Sequence, residues 1–359
     1  MSLSSLGTGK TEKLRVAVVG ATGYSGAETI RLLFNHPRAI LSAAYSTSGA
    51  GQVLGLVLPS LRNIEFSKLE EFDASHAVEQ ADFFFLAGGH GRAMAAAVQL
   101  LDQGKKCVDI GADFRLKDPA LYPEWYKFEH GAPALLKEAV YGLSEWNRAK
   151  IRAARLVANP GCYATAALLA LAPFVDKRVV ATQGIVINGV SGISGAGRSA
   201  TELAYHFPEA AENCRAYRVA AHQHTPEIEQ ELSQIAGEQV QVTFAPHVVP
   251  ASRGLLATIF APLAEQMDDD DAFDLLYERY RGATFVRVLP PGTFPETKNV
   301  RGSNFCDLSA KVDKRTGRVV LMSALDNLGK GAAGQAVQNM NLMCGFDEAE
   351  GLWTPPIYP

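Results

Sequence analysis

The chain has 359 residues, of which 47% are hydrophobic, and this length exceeds what one hydrophobic core usually serves, so two domains are expected. Its 34 basic and 38 acidic residues give a formal net charge of -4. This balance argues against a general electrostatic attraction to nucleic acid or to an anionic membrane, and it favours a small-molecule partner.

The cysteines indicate a reducing compartment. Their number is odd, their spacing is wide and no Cys-x-x-Cys pair occurs, which argues against a disulfide framework and against a zinc site. They are Cys107, Cys162, Cys214, Cys306 and Cys344. Because the sequence also shows no signal-peptide pattern and no run of about 18 apolar residues, we predict a cytoplasmic protein that binds no metal.

The first half of the chain alternates strand-like and helix-like segments. Residues 1–13 are expected to form a flexible lead-in, since their apolar residues follow no period. An apolar run then predicts a buried strand at 14–20, and helical spacing follows at 27–34. Further strands are predicted at 40–45, 82–87 and 106–110, with a helix at 93–103. This alternation predicts an α/β fold of the Rossmann type with a doubly wound parallel sheet.

The pattern changes after Asn159-Pro160-Gly161, where a second, α+β domain is predicted. A helix at 163–174 is followed by longer strand-like runs at 184–188, 239–245 and 255–262. Two more runs, at 305–312 and 318–324, predict a hairpin. A last helix at 331–344 is expected to pack back on the first domain.

The turn after the first predicted strand has the spacing of a dinucleotide-binding loop. It reads Gly20-Ala21-Thr22-Gly23-Tyr24-Ser25-Gly26 and opens the first helix, where glycines let the backbone approach a pyrophosphate. The alternative is a plain structural turn. Gly88-Gly89-His90-Gly91 follows the third strand and either lines the same cleft or forms an ordinary turn.

The end of the second strand favours NADP over NAD. An NAD site usually places an acidic residue there, whereas this chain has Tyr45-Ser46-Thr47-Ser48. Hydroxyl groups can donate hydrogen bonds to a 2′-phosphate, although an ordinary polar loop is the alternative. The loop Ser191-Gly192-Ile193-Ser194-Gly195-Ala196-Gly197-Arg198 is suited to lie near cofactor and substrate, or is simply mobile.

Cys162 is the candidate nucleophile because it stands where a loop enters a predicted helix. The helix dipole is expected to lower the thiol pKa and favour the thiolate, and the alternative is a small buried apolar residue. His222 and His224 are candidate acid/base residues, and in an extended segment they would face the same side. A metal site, without a third ligand at convincing spacing, and a surface pair are the alternatives.

Two arginines are candidates for anion recognition. Arg115, in Gly111-Ala112-Asp113-Phe114-Arg115, is expected to contact a phosphate or carboxylate, or else to form a surface salt bridge with a carboxylate such as Asp118. Arg253 lies in a second turn, where structural and ligand-binding roles are both open.

These motifs, taken in order, resemble the N-acetyl-gamma-glutamyl-phosphate reductase family, which is related to aspartate-semialdehyde dehydrogenase. The resemblance extends from about residue 14 to residue 344. It is carried by Gly20 to Glu28, Gly111 to Arg115, Asn159-Pro160-Gly161-Cys162-Tyr163, Gly192 to Arg198, His222-Gln223-His224-Thr225-Pro226-Glu227-Ile228, and Asp326-Asn327-Leu328-Gly329-Lys330-Gly331-Ala332-Ala333-Gly334-Gln335-Ala336.

The resemblance implies a reaction and roles for the residues. The family reduces a small acyl phosphate to an aldehyde with NADPH and releases inorganic phosphate, a step of arginine biosynthesis. Cys162 would carry a thioester and His222 would be the acid/base residue, whereas Arg115, Asn159, Tyr217 and His224 would contact substrate. The turn at Asn327 would approach the nicotinamide, and Ser191, Gly192 and Gly195 would lie near the cofactor.

The resemblance also implies a domain division and an assembly. Residues 14–161 plus 329–345 would form the NADP-binding domain, and residues 162–328 the catalytic and oligomerisation domain of a homodimer or homotetramer. The tail at 346–359 has no functional interpretation and could pack on a neighbouring subunit. Three alternatives stay open, namely the lysine-pathway reductase of carrier-bound aminoadipyl phosphate, aspartate-semialdehyde dehydrogenase, and a non-catalytic NADP-binding redox sensor.

Overall fold

The structure is a computed structural model that describes residues 13–62, 68–198 and 200–358. The first twelve residues of the predicted lead-in lie outside the described residues. The α-helices are α1 (Tyr24–Phe34), α2 (Leu54–Val57), α3 (Ala74–Gln80), α4 (Ala93–Asp102), α5 (Leu121–Tyr126), α6 (Pro133–Glu138), α7 (Ser144–Ala153), α8 (Cys162–Asp176), α9 (Phe207–Ala210), α10 (His224–Ala236), α11 (Asp269–Tyr280) and α12 (Gly334–Met343). The strands are β1 (Leu14–Val19), β2 (Ala39–Tyr45), β3 (Phe83–Leu86), β4 (Lys106–Asp109), β5 (Val140–Tyr141), β6 (Leu156–Ala158), β7 (Ile185–Gly192), β8 (Arg215–Ala216), β9 (Val242–Val249), β10 (Leu255–Pro262), β11 (Val286–Val288), β12 (Cys306–Asp313) and β13 (Arg318–Leu325).

The first sheet is six-stranded and parallel, with the order β2-β1-β3-β4-β6-β5. Its strands are apolar runs because helices cover both faces. Val16 and Val18 pack with α1 and α12 on one face, whereas Ala17 and Phe84 pack with α3 and α4 on the other. The predicted doubly wound sheet is confirmed. Its strand order reverses between β1 and β3, where sheets of this type bind ligands.

The second sheet has seven strands in the order β11-β12-β13-β10-β7-β9-β8 and is mixed. β10 pairs antiparallel with β7 and β13, while β7 and β9 run parallel. Helices α8, α10 and α11 cover one face, where Leu168, Ile228 and Leu276 pack against Ile259. The predicted hairpin is confirmed as the antiparallel pair β12 and β13.

The start of the last helix differs from the prediction. A π-helical turn, Gly329–Ala333, precedes α12, so the regular helix begins later than residue 331. α12 packs on the first sheet, since Val337 and Met340 share a core cluster with Val16. The short strands β5 and β6, with the helices between β4 and β6, were not predicted. Within the described ranges, no helix is long and apolar enough to cross a membrane.

Candidate active site

The turn between β1 and α1 requires glycine at two positions. Gly20 has a φ of 87°, and a Cβ there would lie 2.6 Å from the carbonyl oxygen of Ala87. A Cβ on Gly26 would lie 2.3 Å from the carbonyl oxygen of Gly20. The Gly88 turn therefore meets the Gly20 turn at the edge of the sheet, and the close backbone packing fits a pyrophosphate-binding turn.

Hydroxyl groups lie beside this turn at the end of β2. The Thr22 and Ser46 hydroxyl oxygens are 2.8 Å apart, and Ser48 lies 3.5 Å from Ser46. Thr47 is exposed next to them. Arg198, from the loop after β7, donates to the Thr22 carbonyl oxygen at 2.9 Å. The turn and the glycine-rich loop are therefore in contact.

Asn327 connects that loop to the end of β13. Its Oδ1 accepts from the Gly254 backbone N–H at 2.9 Å, and its Nδ2 donates to the Ser194 hydroxyl at 2.9 Å. A Cβ on Gly195 would lie 3.6 Å from Ser191 Oγ and 3.9 Å from Asn327 Nδ2. At Gly192 a Cβ would lie 2.7 Å from the Ala251 carbonyl oxygen. The predicted cofactor residues of the second half therefore cluster together.

Cys162 is the first residue of α8, directly after Gly161 at the N-cap. Burial raises the pKa of its thiol to about 11, against the opposing effects of the Arg115 charge and the Tyr163 backbone N–H. The prediction that the helix start makes Cys162 a thiolate is therefore wrong, because loss of solvation outweighs the dipole. At neutral pH the free thiol needs a base.

His222 and His224 lie together, with ring centroids 4.6 Å apart. The two histidines do not share an extended segment, because α10 already begins at His224. The His224 backbone N–H donates to His222 Nδ1 at 3.1 Å, so the proton of the neutral ring belongs on Nε2. Burial, aided by Arg218, lowers the pKa of His222 to about 3. The Tyr217 ring centroid lies 5.6 Å from that of His222.

The histidines border the start of α8. A Cβ on Gly161 would lie 2.2 Å from His224 Nε2, so only glycine fits against that ring. Burial lowers the pKa of His224 well below its usual value. Its Nδ1 has no hydrogen-bond partner among the described residues, which leaves one buried polar atom for a ligand.

Arg115 is buried and joins the strand ends to α10. Its Nε donates to the Asn159 carbonyl oxygen at 2.8 Å, and its Nη1 lies 3.4 Å from both His224 Nε2 and Glu227 Oε2. The alternative of a surface salt bridge with Asp118 is wrong, because Arg115 pairs with Glu227 in the interior.

Glu227 is a site residue that the sequence reasoning missed. It is fully buried, and its Oε1 accepts from the Tyr141 hydroxyl and from the Gly161 backbone N–H, both at 2.8 Å. It therefore fixes the residue before Cys162 while balancing the Arg115 charge. Its position inside the His222 to Ile228 motif was the available signal.

The side chains of Asn159 and Arg253 already have hydrogen-bond or ion-pair partners within the chain. The Asn159 Nδ2 donates to the Ala332 carbonyl oxygen at 3.0 Å, and its Oδ1 accepts from Asn339 at 3.1 Å. Arg253 binds Glu28 and Asp326 through ion pairs of 2.9 Å each, which decides its open role in favour of structure. In the part of the chain that is described, no group of three or more potential ligands could hold a metal ion.

Family comparisons cover both halves of the chain. The family described as semialdehyde dehydrogenase, NAD binding domain matches residues 15–154, and the one described as semialdehyde dehydrogenase, dimerisation domain matches residues 162–327. An N-acetyl-gamma-glutamyl-phosphate reductase of Pelotomaculum thermopropionicum is 51% identical, over 96% of this chain and 99% of the relative. The reductase of Desulforudis audaxviator is 50% identical, over 96% and 100%.

The chain belongs to the N-acetyl-gamma-glutamyl-phosphate reductase family. Solved structures extend the likeness of fold to aspartate semialdehyde dehydrogenases. The Vibrio cholerae enzyme II matches with a TM-score of 0.71 and 18% identity, over 93% of this chain and 99% of that one. The Candida albicans enzyme, solved with NADP, matches with a TM-score of 0.66 and 16% identity, over 92% and 98%.

In this member of the reductase family, the predicted residues fall into two neighbouring groups. One group surrounds the turn before α1, and the other surrounds the start of α8. The loop from Ser191 to Arg198 lies between them, since Arg198 bonds Thr22 while Ser194 bonds Asn327. The geometry therefore places a glycine turn suited to a dinucleotide near a protonated thiol, two imidazoles whose pKa burial lowers, and one buried guanidinium.

Proposed function

We propose that this chain reduces N-acetyl-L-glutamyl 5-phosphate to N-acetyl-L-glutamate 5-semialdehyde, with NADPH as reductant and inorganic phosphate as second product. The reaction is a step of arginine biosynthesis, placed in the cytoplasm. The observation that carries this proposal is the 51% identity over 96% of the chain to a reductase of that name. The neighbouring Cys162, His222 and Arg115 supply the groups that the chemistry needs.

The cofactor fits the turn before α1. The turn leaves room only for glycine at Gly20 and Gly26, so a pyrophosphate can approach the backbone, and Ser46 and Ser48 can donate to a 2′-phosphate. Asn327 would lie near the nicotinamide. When bound, NADPH supplies the hydride that reduces the thioester.

Cys162 carries the acyl group in this proposal. After the thiol loses its proton, the sulfur bonds to the acyl carbon, the bond from that carbon to the phosphate oxygen breaks, and phosphate leaves. After reduction, the carbon–sulfur bond breaks and the aldehyde is released. The two domains have separate roles in this proposal. Residues 14–161 plus 329–345 bind NADP, and residues 162–328 contain the catalytic Cys162 and His222.

His222 manages the protons. With Nδ1 accepting from the His224 backbone N–H, its Nε2–H is arranged to donate to the oxygen of the reacting carbonyl. To take the thiol proton at Nε2, the His222 ring must carry its own proton on Nδ1 instead. The hydrogen bond from the His224 backbone N–H to Nδ1 must therefore break when His222 acts as base. Arg115, Tyr217 and the free Nδ1 of His224 would hold the substrate, and Asn159 would position Arg115 through its carbonyl oxygen.

The open face of the second sheet supports a homodimer or homotetramer. Val186, Val190, Leu256 and Met322 are half-buried on the face opposite α8, because strand side chains alternate. The family described as a dimerisation domain matches this part of the chain. A second copy of the chain would cover these apolar side chains.

The reaction is tested in reverse with purified protein, NADP, phosphate and N-acetylglutamate semialdehyde. Reduction of NADP that requires both phosphate and the acetylated substrate is the expected result. Activity with aspartate semialdehyde in its place would retain the chemistry and reject the substrate. Binding of NADPH without turnover of either aldehyde would reject the enzyme.

A further inference from the structure

Lys330 is a buried charged residue that the proposed mechanism does not use. Its side chain is fully buried, and its Nζ donates to Glu145 Oε1 and to Gln338 Oε1, each at 2.7 Å. Glu145 lies in the first turn of α7 and is also buried. Burying two charges is costly, and such a pair is weak evidence for stability in itself. The role of the Lys330–Glu145 ion pair therefore depends on where the pair lies and not on how strongly it stabilises the fold.

Lys330 belongs to the π-helical turn Gly329–Ala333, and that turn touches Cys162. The Gly331 backbone N–H donates to the Asp326 carbonyl oxygen at 2.9 Å, five residues back. A Cβ on Gly331 would lie 2.7 Å from the Cys162 Cβ and 3.2 Å from a methyl carbon of Leu325. The backbone next to Lys330 therefore forms one wall around the nucleophile.

The turn is anchored on both sides of Gly331. Before it, Lys330 is held by Glu145 and Gln338; after it, the Ala332 carbonyl oxygen accepts from Asn159 Nδ2 at 3.0 Å. Since π-helical turns are rare and lack the regular ladder of an α-helix, such anchors decide where the backbone lies. The Asn159 carbonyl oxygen also accepts from Arg115, so the second anchor ends at the site.

We propose that Lys330 is a positioning residue, whose ion pair with Glu145 holds the turn Gly329–Ala333 against Cys162 and thereby sets the orientation of the nucleophile. The inference rests on the proposed function, in which Cys162 carries the thioester. The ion pair gives one fixed geometry, because Lys330 and Gln338 both donate to the same oxygen of Glu145. An apolar contact between α7 and the turn Gly329–Ala333 would not define one orientation of the turn, because apolar contacts are not directional.

The test neutralises both charges together, because removal of one partner would leave the other unpaired in the core. The variant is K330M/E145Q, and its matched control is R287M/D307N, which neutralises an ion pair between the edge strand β11 and its neighbour β12. Both are measured for thermal unfolding, NADPH affinity by fluorescence, kcat and KM. The rate at which iodoacetamide alkylates Cys162 is read by mass spectrometry, with Cys344 as internal reference.

The expected result is a folded K330M/E145Q protein whose kcat falls about tenfold or more, because small displacements of a reacting group are costly. KM and NADPH affinity stay within about threefold, and the alkylation rate of Cys162 changes relative to Cys344, whereas the control keeps all values. An unchanged kcat with an unchanged Cys162 alkylation rate would overturn the inference.

A milder variant decides the matter if the double variant does not fold. Gln338→Met removes only the neutral partner of Lys330, so a smaller loss of kcat, about threefold, is expected with KM preserved. No change in kcat or in Cys162 alkylation for that folded variant would overturn the inference as well. Failure of the proposed function looks different, since the unaltered protein would then show no phosphate-dependent reduction of NADP with N-acetylglutamate semialdehyde.

Discussion

The two helix starts at the candidate site, those of α1 and α8, share their local geometry and differ in their surroundings. Each follows a glycine with an extended backbone, Gly23 and Gly161, and neither receives a capping hydrogen bond from a side chain of the described residues. At α1 the first residue, Tyr24, is 41% exposed. In α8 every residue from Tyr163 to Val175 is buried.

This difference shows that a helix N-terminus does not define its own chemistry. At α1 the exposed first residue leaves the helix start accessible to water, so an anion can approach its backbone N–H groups. At α8 the same dipole acts on the half-buried Cys162, where loss of solvation raises the pKa of the thiol to about 11. The first start is thus suited to bind a charge, whereas the second depends on a neighbouring base.

The largest expected effect comes from removing the sulfur of Cys162, which changes the start of α8 and leaves the start of α1 intact. Cys162→Ser should lower turnover at least about a thousandfold, because no thioester can form, while NADPH binding stays unchanged. Steady-state kinetics and NADPH fluorescence measure the two properties. Cys344→Ser, which changes a half-buried cysteine outside the site, is the control and should retain activity. Normal turnover of Cys162→Ser would remove Cys162 from the mechanism.

A second expectation concerns the pH dependence of Cys162 itself. With a raised pKa the thiol is protonated at neutral pH, and its thiolate fraction grows as the pH rises toward about 11. The alkylation rate in the free protein should therefore increase about tenfold per pH unit, or about a hundredfold from pH 7 to 9. Mass spectrometry of the Cys162 peptide measures it, and the exposed Cys214 reports on the reagent. A plateau below pH 8 would restore the low-pKa thiolate.

The fold and the cofactor turn could be predicted because their signals are local. Apolar runs mark β1 and β10 directly, and Gly20 and Gly26 stand at fixed distances after β1. Cys162 was found in the same way, from a loop that enters a helix. Such patterns predict the backbone conformation, because that conformation depends largely on residues that are neighbours along the chain.

The rest of the site depends on contacts between distant residues. Glu227 meets Tyr141 across 86 positions and Arg115 across 112, and no spacing along the chain encodes these pairs. The pKa of Cys162 was mispredicted for the same reason, because burial arises from the packing of the whole domain. His222 and His224 do not share an extended segment, because α10 begins at His224, two residues before Pro226.

The smallest expected effect tests the α1 side of the comparison. Gly26→Ala places a Cβ against the Gly20 carbonyl oxygen and must displace the turn, so NADPH should bind about tenfold more weakly. The control is Gly131→Ala, because a Cβ on Gly131 meets nothing within 4 Å among the described residues. Fluorescence titration measures affinity, and Cys162 alkylation should stay unchanged in both variants. If Gly26→Ala also altered alkylation, the two helix starts would be mechanically coupled, and the loop bearing Arg198 would be the path between them.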